Sequence, residues 1–295
     1  MSPDSVLTGV VLPLALAVIM ATLGLSLTPA DFRRVVTSPK AVAIGLVNLL
    51  LVSPLLAFAA AEAFGLDPIL AVGLVLLGAS PGGTMANLLT HLARGETALS
   101  VTMTAISSVA AVVTVPLFLG LAIDHFDAGL ADEVSMGGIV LKVLLITVVP
   151  LSLGMVYRAR RPEQAVALEP RAKRIALVVF VFVVIGAVAS EFGNVVDSIG
   201  AVALAALALN VAAMSISFGV ARLARLGDRK ATAIAMELGV HNSTLTITVA
   251  AGIHPELAIP AAIYSAFMFI TAGFFARVMA ARNAPAAAAP EPVAA

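Results

Sequence analysis

The feature that most constrains this chain is a succession of nine apolar segments, each long enough to cross a lipid bilayer. A membrane-spanning helix needs roughly 20 mostly apolar residues. Charged residues make up only 12% of the 295 residues, against about 25% in soluble domains, so lipid must replace water around most of the surface. The sequence therefore predicts an all-α polytopic membrane protein with nine transmembrane helices, at residues 6–27, 41–64, 68–93, 97–123, 136–157, 174–190, 196–221, 231–252 and 257–281.

The charges in the connections between these segments predict the orientation in the membrane. Every second connection carries Lys or Arg, and the connections between them hold Asp and Glu but no Lys or Arg. Because cytoplasmic loops collect basic residues, we expect a multi-pass protein of the cell membrane with the N-terminus outside and the C-terminus in the cytoplasm. Lys142 lies outside this pattern, in the outer part of the fifth segment, and we expect it to extend to the outer interface.

The chain divides into one membrane domain, residues 1–282, and a tail, residues 283–295. The tail is rich in Ala and Pro and is predicted to be disordered. The formal net charge of the chain is zero, so it has no overall positive field to attract nucleic acid. The oligomeric state stays open.

The third segment contains a break in its helix. The run Ser80-Pro81-Gly82-Gly83-Thr84 combines a proline, which removes a helical N–H donor, with two glycines that are unfavourable inside a helix. Such a run at membrane depth must be shielded by protein or line a cavity. We expect a second half-helix to begin near Thr84, with Thr84 as its N-cap, and its free N–H groups to form an anion site.

The eighth segment carries Glu237, the acidic residue placed deepest inside a predicted span. Inserting such a charge costs about 2.5–3.5 kcal/mol, so a cation, a proton or a basic partner should offset that cost. Gly239, His241 and Asn242 follow within one or two turns. We leave open whether His241 is a packing residue or a proton carrier.

The two unusual segments occupy matching places in the two halves of the chain. Residues 6–123 form a first predicted repeat, residues 174–281 form a second of opposite orientation, and span 136–157 links them. Paired broken helices in inverted repeats indicate a transporter with its site near the bilayer midplane. Ser100, Thr104 and Ser107 or Ser108 share one stripe of the fourth segment, where their hydroxyls can supply oxygen ligands to a hard cation.

Enzymatic and ATP-driven functions find no support in the sequence. Cysteine is absent, which removes thiol catalysis and thiolate metal sites. There is no Walker loop, dinucleotide fingerprint or nucleophile elbow. We therefore predict a transporter rather than an enzyme.

Three blocks of sequence resemble the bile acid:sodium symporter family. They are Gly24-Leu25-Ser26-Leu27-Thr28-Pro29-Ala30-Asp31-Phe32, then residues 80–87 with 93–100, and Glu237-Leu238-Gly239-Val240-His241-Asn242-Ser243. The resemblance covers nearly the whole chain. It implies a core domain and a panel domain, two broken helices that cross, and symport of an organic anion with sodium by alternating access.

The resemblance also implies site residues. The family's first sodium site maps onto Asn87, Ser100, Thr104 and Glu237, with Ala86 where the family has a serine. The second maps onto Leu238, Val240 and His241, with Leu49 and His241 where the family has glutamines. Family substrate contacts match Thr84 and Asn242.

We therefore expect one sodium ion, bound at the first site, and pH sensitivity from His241, because a protonated imidazole would pair with Glu237 and repel sodium. The substrate is expected to be bile-acid-like or a small carboxylate. Two alternatives remain open. One is proton-coupled or uncoupled anion transport through Glu237 and His241, and the other is a membrane receptor that binds a ligand without translocating it.

Overall fold

A computed structural model describes residues 7–132, 134–190 and 192–284, and its regular secondary structure is helical throughout these ranges. Besides the α-helices there are π-turns at Leu7–Val11, Asn48–Val52 and Leu144–Val148, and a short 3-10 helix at Pro255–Ala258. The α-helices are α1 (Leu12–Ser26), α2 (Pro29–Phe32), α3 (Arg34–Thr37), α4 (Pro39–Val47), α5 (Ser53–Ala63), α6 (Pro68–Gly78), α7 (Thr84–Leu92), α8 (Thr97–Phe126), α9 (Met136–Val143), α10 (Val149–Arg160), α11 (Pro162–Ser190), α12 (Phe192–Leu223), α13 (Asp228–Gly239), α14 (Ser243–Ala250) and α15 (Ile259–Arg282).

Six helical stretches in the described ranges are long and apolar enough to cross a membrane. The predicted third and eighth segments are instead each divided into two shorter helices, α6 with α7 and α13 with α14. The count of nine spans stays a prediction. The six stretches are Gly9–Ser26, Pro39–Ala63, Thr97–Phe126, Met136–Arg160, Gly200–Leu223 and Pro255–Arg282.

Two helix ends extend beyond the predicted bounds. Helix α11 begins at Pro162, twelve residues before the predicted start at 174. Proline is favoured at the first helical position, and Glu169 pairs with Lys173 one turn later at 2.6 Å, so this polar stretch is helical as well. Asn283, predicted to open the disordered tail, donates hydrogen bonds of 3.0 Å to the carbonyl of Ala93 and the hydroxyl of Thr232. Residues 285–295 lie outside the described ranges.

The helices pack as two groups. In the small bundle, α1 packs against α10 and α11. Gly24 of α1 and Gly154 of α10 allow a backbone-to-backbone approach, because a Cβ on Gly24 would lie 2.9 Å from the Cα of Gly154. The large bundle contains α4 to α8 and α12 to α15.

The two ends of the molecule differ in charge. At the basic end, Arg229 donates to the carbonyl of Arg94 at 3.1 Å, and Arg282 pairs with Asp228 at 2.9 Å. At the acidic end, the C-termini of α5 and α8 meet where Glu62 contacts His125 at 2.7 Å.

Candidate functional site

The interruptions in the two broken helices lie against each other. The N–H of Gly83 donates to the carbonyl of Val240 at 2.7 Å, and the N–H of Asn242 donates to the carbonyl of Pro81 at 2.8 Å. Gly82 and His241 thereby form an isolated antiparallel bridge. Backbone groups inside a bilayer must be satisfied within the protein, and here each break supplies partners to the other.

The two glycines of the first break are required by this close approach. A Cβ on Gly82 would collide with Oε2 of Glu237, and a Cβ on Gly83 would lie 2.9 Å from the carbonyl oxygen of His241. Real Cβ atoms rarely make contacts this short, so a larger residue at either position would push the two breaks apart. The glycines that suggested a broken helix therefore also set the distance between the two segments.

Glu237 lies in the middle of a cluster of side-chain oxygens. Its carboxylate is fully buried and accepts from the hydroxyl of Ser100 at 2.5 Å and from that of Thr104 at 2.8 and 3.0 Å. The hydroxyl of Thr104 also lies 3.3 Å from Oδ1 of Asn87. Ser100 and Thr104 are one turn apart on α8, so both hydroxyls face α13.

All four residues predicted for the first sodium site are thus brought together: Asn87, Ser100, Thr104 and Glu237. Ala86 is buried beside them and adds no side-chain oxygen. Thr90, which the sequence reasoning missed, extends the cluster because its hydroxyl donates to that of Ser100 at 3.3 Å. Its position three residues after Asn87, on the same face of α7, was the available signal.

The cluster suits a hard cation. Carboxylate, amide and hydroxyl oxygens are the ligands that such ions prefer, and the carboxylate supplies a full negative charge. The hydroxyls that donate to Glu237 also carry lone pairs, so the same groups can turn to coordinate an ion.

The residues predicted for a second ion are arranged differently. The carbonyl of Val240 accepts from Gly83, as described above, and that of Leu238 lies 3.5 Å from the hydroxyl of Tyr264. His241 contacts the hydroxyl of Ser53 through Nε2 at 3.0 Å. Leu49 is fully buried in an apolar cluster.

Three polar residues around the second break were missed by the sequence reasoning. Ser53 follows the π-turn of the second span, a distortion often found at functional sites. Asn210 donates to the carbonyl of Gly239 at 2.8 Å, and Tyr264 donates to the same carbonyl at 3.1 Å. A buried amide inside an apolar span was the signal for Asn210.

Two half-helices begin at the crossing. Helix α7 starts at Thr84, as expected, but its N-cap is Gly83 rather than Thr84, because Gly83 has the extended backbone that an N-cap requires. Helix α14 starts after Asn242, whose side-chain oxygen accepts from the N–H of Leu245 at 3.1 Å. Thr84 and Asn242 line the same small cavity of about 20 Å³, large enough for about one water.

A larger cavity of about 510 Å³ adjoins the crossing. Thr84, Met85 and Asn87 line its inner part, and its mouth lies at the basic end beside exposed His91 and Arg174. Side chains of α1, α7, α8 and α11 line it; most of the exposed wall surface is apolar, and charged residues lie toward the basic end. Ligand pockets typically measure about 300–1,000 Å³, so an organic molecule can enter from this end and reach Thr84.

Comparison with known proteins gives related sequences over most of the chain. Residues 13–198 match the model of the sodium bile acid symporter family. The chain is 31% identical over 251 residues to an uncharacterized sodium-dependent transporter, YocS, of Bacillus subtilis (strain 168), covering 85% of this chain and 77% of that protein. A probable sodium/metabolite cotransporter of rice chloroplasts, BASS2, is 28% identical over 84% of this chain and 58% of its own length. The human hepatic sodium/bile acid cotransporter is 32% identical over 55% of this chain and 46% of its own length.

Proposed function

Because the chain belongs to the sodium bile acid symporter family, we propose that it carries an organic anion across the membrane together with sodium by alternating access. The family consists of transporters rather than enzymes, and its named members support sodium-coupled transport.

The observation that carries this proposal is the buried contact of Glu237 with Ser100, Thr104 and, through Thr104, Asn87. A buried carboxylate without a compensating charge is strongly unfavourable. In the described part of the chain, Glu237 forms no salt bridge; its close partners are hydroxyl groups. We propose that a sodium ion bound among these oxygens supplies the missing positive charge.

The substrate is proposed to bind with its carboxylate at the crossing. The first turns of α7 and α14 both point their N–H groups toward it, and helix N-termini attract anions. Thr84 and Asn242 are the side chains at these two ends. The apolar part of the wall of the 510 Å³ cavity would then accept the carbon skeleton, which suits a bile-acid-like anion or a smaller carboxylate.

Helix α7 offers a direct route for coupling the two binding events. Thr84 at the proposed substrate site and Asn87 at the proposed sodium site are three residues apart, on neighbouring positions of the same helix. A sodium ion held by Asn87 would fix the start of α7 and so order the N–H groups that receive the anion. Reciprocity then requires the anion to tighten sodium binding.

The topology completes the proposal. We propose nine spans in two inverted repeats, with the N-terminus outside and the basic end in the cytoplasm. The small bundle corresponds to the panel domain and the large bundle to the core domain. The large cavity is then a cytoplasmic entrance, and transport requires the two bundles to move so that the crossing opens at the acidic end.

Proton-coupled transport is the second candidate, because His241 lies at the crossing within one turn of Glu237 and contacts Ser53 at 3.0 Å. Protons could then replace sodium at the buried carboxylate. Transport assays in proteoliposomes distinguish proton-coupled transport from sodium symport. Exchange of radioactive ²²Na⁺ that is stimulated by pantoate, pyruvate or taurocholate supports sodium symport.

The contrary results have distinct meanings. Uptake of the same anions driven by a pH gradient, without any effect of sodium, would replace sodium symport with proton coupling. Saturable anion binding with no counterflow of any of them would support a receptor that does not translocate its ligand.

A further inference from the structure

Lys142 is the cation that departs from the alternation of charges, and its side chain has a specific partner. It lies on α9, within the linking span, and its Nζ donates to the carbonyl of Thr248 at 3.0 Å. Thr248 belongs to the last turn of α14, whose carbonyls have no partner within the helix. An ammonium group placed there both satisfies a carbonyl and complements the negative end of the helix dipole.

The turn after α14 leaves room for this contact. A Cβ on Gly252 would collide with Nζ of Lys142, so the ammonium group occupies the space that a side chain would fill. Simple extension to the outer interface would direct Nζ to water, whereas here it contacts a span more than 100 residues away along the chain. The contact therefore fixes the linking span to the second half of a broken helix.

The location of the contact between Lys142 and Thr248, relative to the 510 Å³ cavity, indicates its role in transport. Helix α14 begins at the crossing and runs to the acidic end, where it packs against the 3-10 helix Pro255–Ala258. The 510 Å³ cavity reaches the crossing from the opposite, basic end. Lys142 thus connects the linking span to α14 on the side of the crossing opposite the 510 Å³ cavity.

We propose that Lys142 is a positioning residue of the transport cycle, which holds the acidic end closed by capping α14 and must release Thr248 before the crossing opens there. This proposal rests on alternating access, as proposed above. The π-turn Leu144–Val148 directly follows α9 and interrupts the regular hydrogen bonding of the linking span. It gives α9 a point at which it can move relative to α10.

A contact between the Lys142 ammonium group and the end of α14 can break and re-form, as a gate requires. At the acidic end, both Lys142 and the carbonyl of Thr248 can be hydrated once they separate, so opening replaces one hydrogen bond by others. Closing recovers the charge-assisted contact and the interaction with the helix dipole. A lysine can therefore favour one conformation without locking it.

Because the chain contains no cysteine, a single introduced cysteine reports the accessibility of one chosen position. Two separate reporters are introduced by Ser26→Cys, which lines the cavity at the basic end, and Val249→Cys, which is fully buried next to Thr248. Maleimide labelling rates are measured in proteoliposomes for each reporter, with Lys142 intact and with Lys142→Met. We expect Lys142→Met to speed labelling at position 249 and slow it at position 26, changing their ratio about tenfold, or about 1.4 kcal/mol.

The chain offers a matched control. Lys40 makes the same kind of contact with the carbonyl of Ala224 just after α12, at 2.8 Å. Unlike Lys142, which lies on the linking span, Lys40 joins two helices of the large bundle, α4 and α12. Lys40→Met should leave the labelling ratio unchanged, and Lys142→Arg should stay near wild type because it keeps the cation. If Lys142→Met is poorly folded, Gly252→Ala serves instead, since it displaces the ammonium group and should shift the ratio in the same direction.

The outcomes separate this inference from the proposed function. An unchanged ratio for Lys142→Met and Gly252→Ala, or faster labelling at both positions, overturns the gating role, because general loosening would expose both reporters. A reciprocal shift without any sodium-stimulated anion transport in the wild type would support the gate and reject sodium coupling. Sodium-driven transport with no reciprocal shift would reject the gate alone.

Discussion

Thr104→Val tests the proposed sodium site with a change that keeps side-chain shape. The hydroxyl of Thr104 contacts both oxygens of Glu237, at 2.8 and 3.0 Å, and lies 3.3 Å from Oδ1 of Asn87. Valine removes all three contacts and one of the four side-chain groups proposed to hold sodium. We expect sodium affinity to fall about tenfold, corresponding to about 1.4 kcal/mol.

The expected size of the loss in sodium affinity follows from two opposing effects. Hydrogen bonds to charged groups contribute about 1.5–3 kcal/mol, but Glu237 loses such bonds both with and without sodium, so only part of this energy appears in the affinity. The substitution also lowers the stability of the protein in potassium, where the carboxylate has lost a donor. Affinity is measured from the sodium dependence of ²²Na⁺ binding to purified protein, and stability from thermal unfolding.

Thr102→Val is the matched control for this experiment. Thr102 is equally buried on the same helix, but its hydroxyl donates to the backbone carbonyls of Asp31 and Ala98 at 2.6 and 2.7 Å. It should leave sodium affinity unchanged, and Thr104→Ser should restore most of the affinity. Equal sodium affinities for Thr104→Val and the wild type, or equal losses for both valine variants, would refute the proposed ligand role.

Three further substitutions test other parts of the site. Gly82→Ala places a Cβ against Oε2 of Glu237 and should destabilise the protein by about 1–3 kcal/mol while weakening sodium binding; wild-type binding of ²²Na⁺ would contradict this packing. Thr84→Val should weaken anion binding, measured by calorimetry at saturating sodium, with less effect on sodium affinity, and unchanged affinity for every tested anion would count against the substrate placement. In the wild type, sodium-driven uptake should decrease at acidic pH, since a charged imidazole repels sodium, and His241→Gln should abolish this decrease. A sodium Hill coefficient near two in the wild type, unaffected by this change, would contradict the single-ion proposal.

The sequence predicted those parts of the site that follow from local patterns. Pro81 with two glycines located the first break, and the cost of burying Glu237 predicted a functional role for the second broken segment. The one-turn spacing of Ser100 and Thr104 placed their hydroxyls on one face before any partner was known. In each case the physical reason lies within one or two turns of helix.

The missed features depend on contacts between distant parts of the chain. Ser53 and His241 are 188 residues apart, and no local pattern pairs them. Lys142 could be recognised as unusual from its charge, but its contact with Thr248 depends on how the linking span packs against α14. The early start of α11 was missed because its first turns are polar, and apolarity was the signal used to find spans.

The most direct test of sodium coupling at Glu237 is the thermal stability of the purified protein in sodium chloride and in potassium chloride at equal ionic strength, for the wild type and Glu237→Gln. An ion present at about 100 times its dissociation constant stabilises the state that binds it by about 2.7 kcal/mol. We expect sodium to raise the melting temperature of the wild type and to have no such effect on Glu237→Gln. Equal melting temperatures of the wild type in the two salts, or a sodium effect that persists in Glu237→Gln, would contradict it.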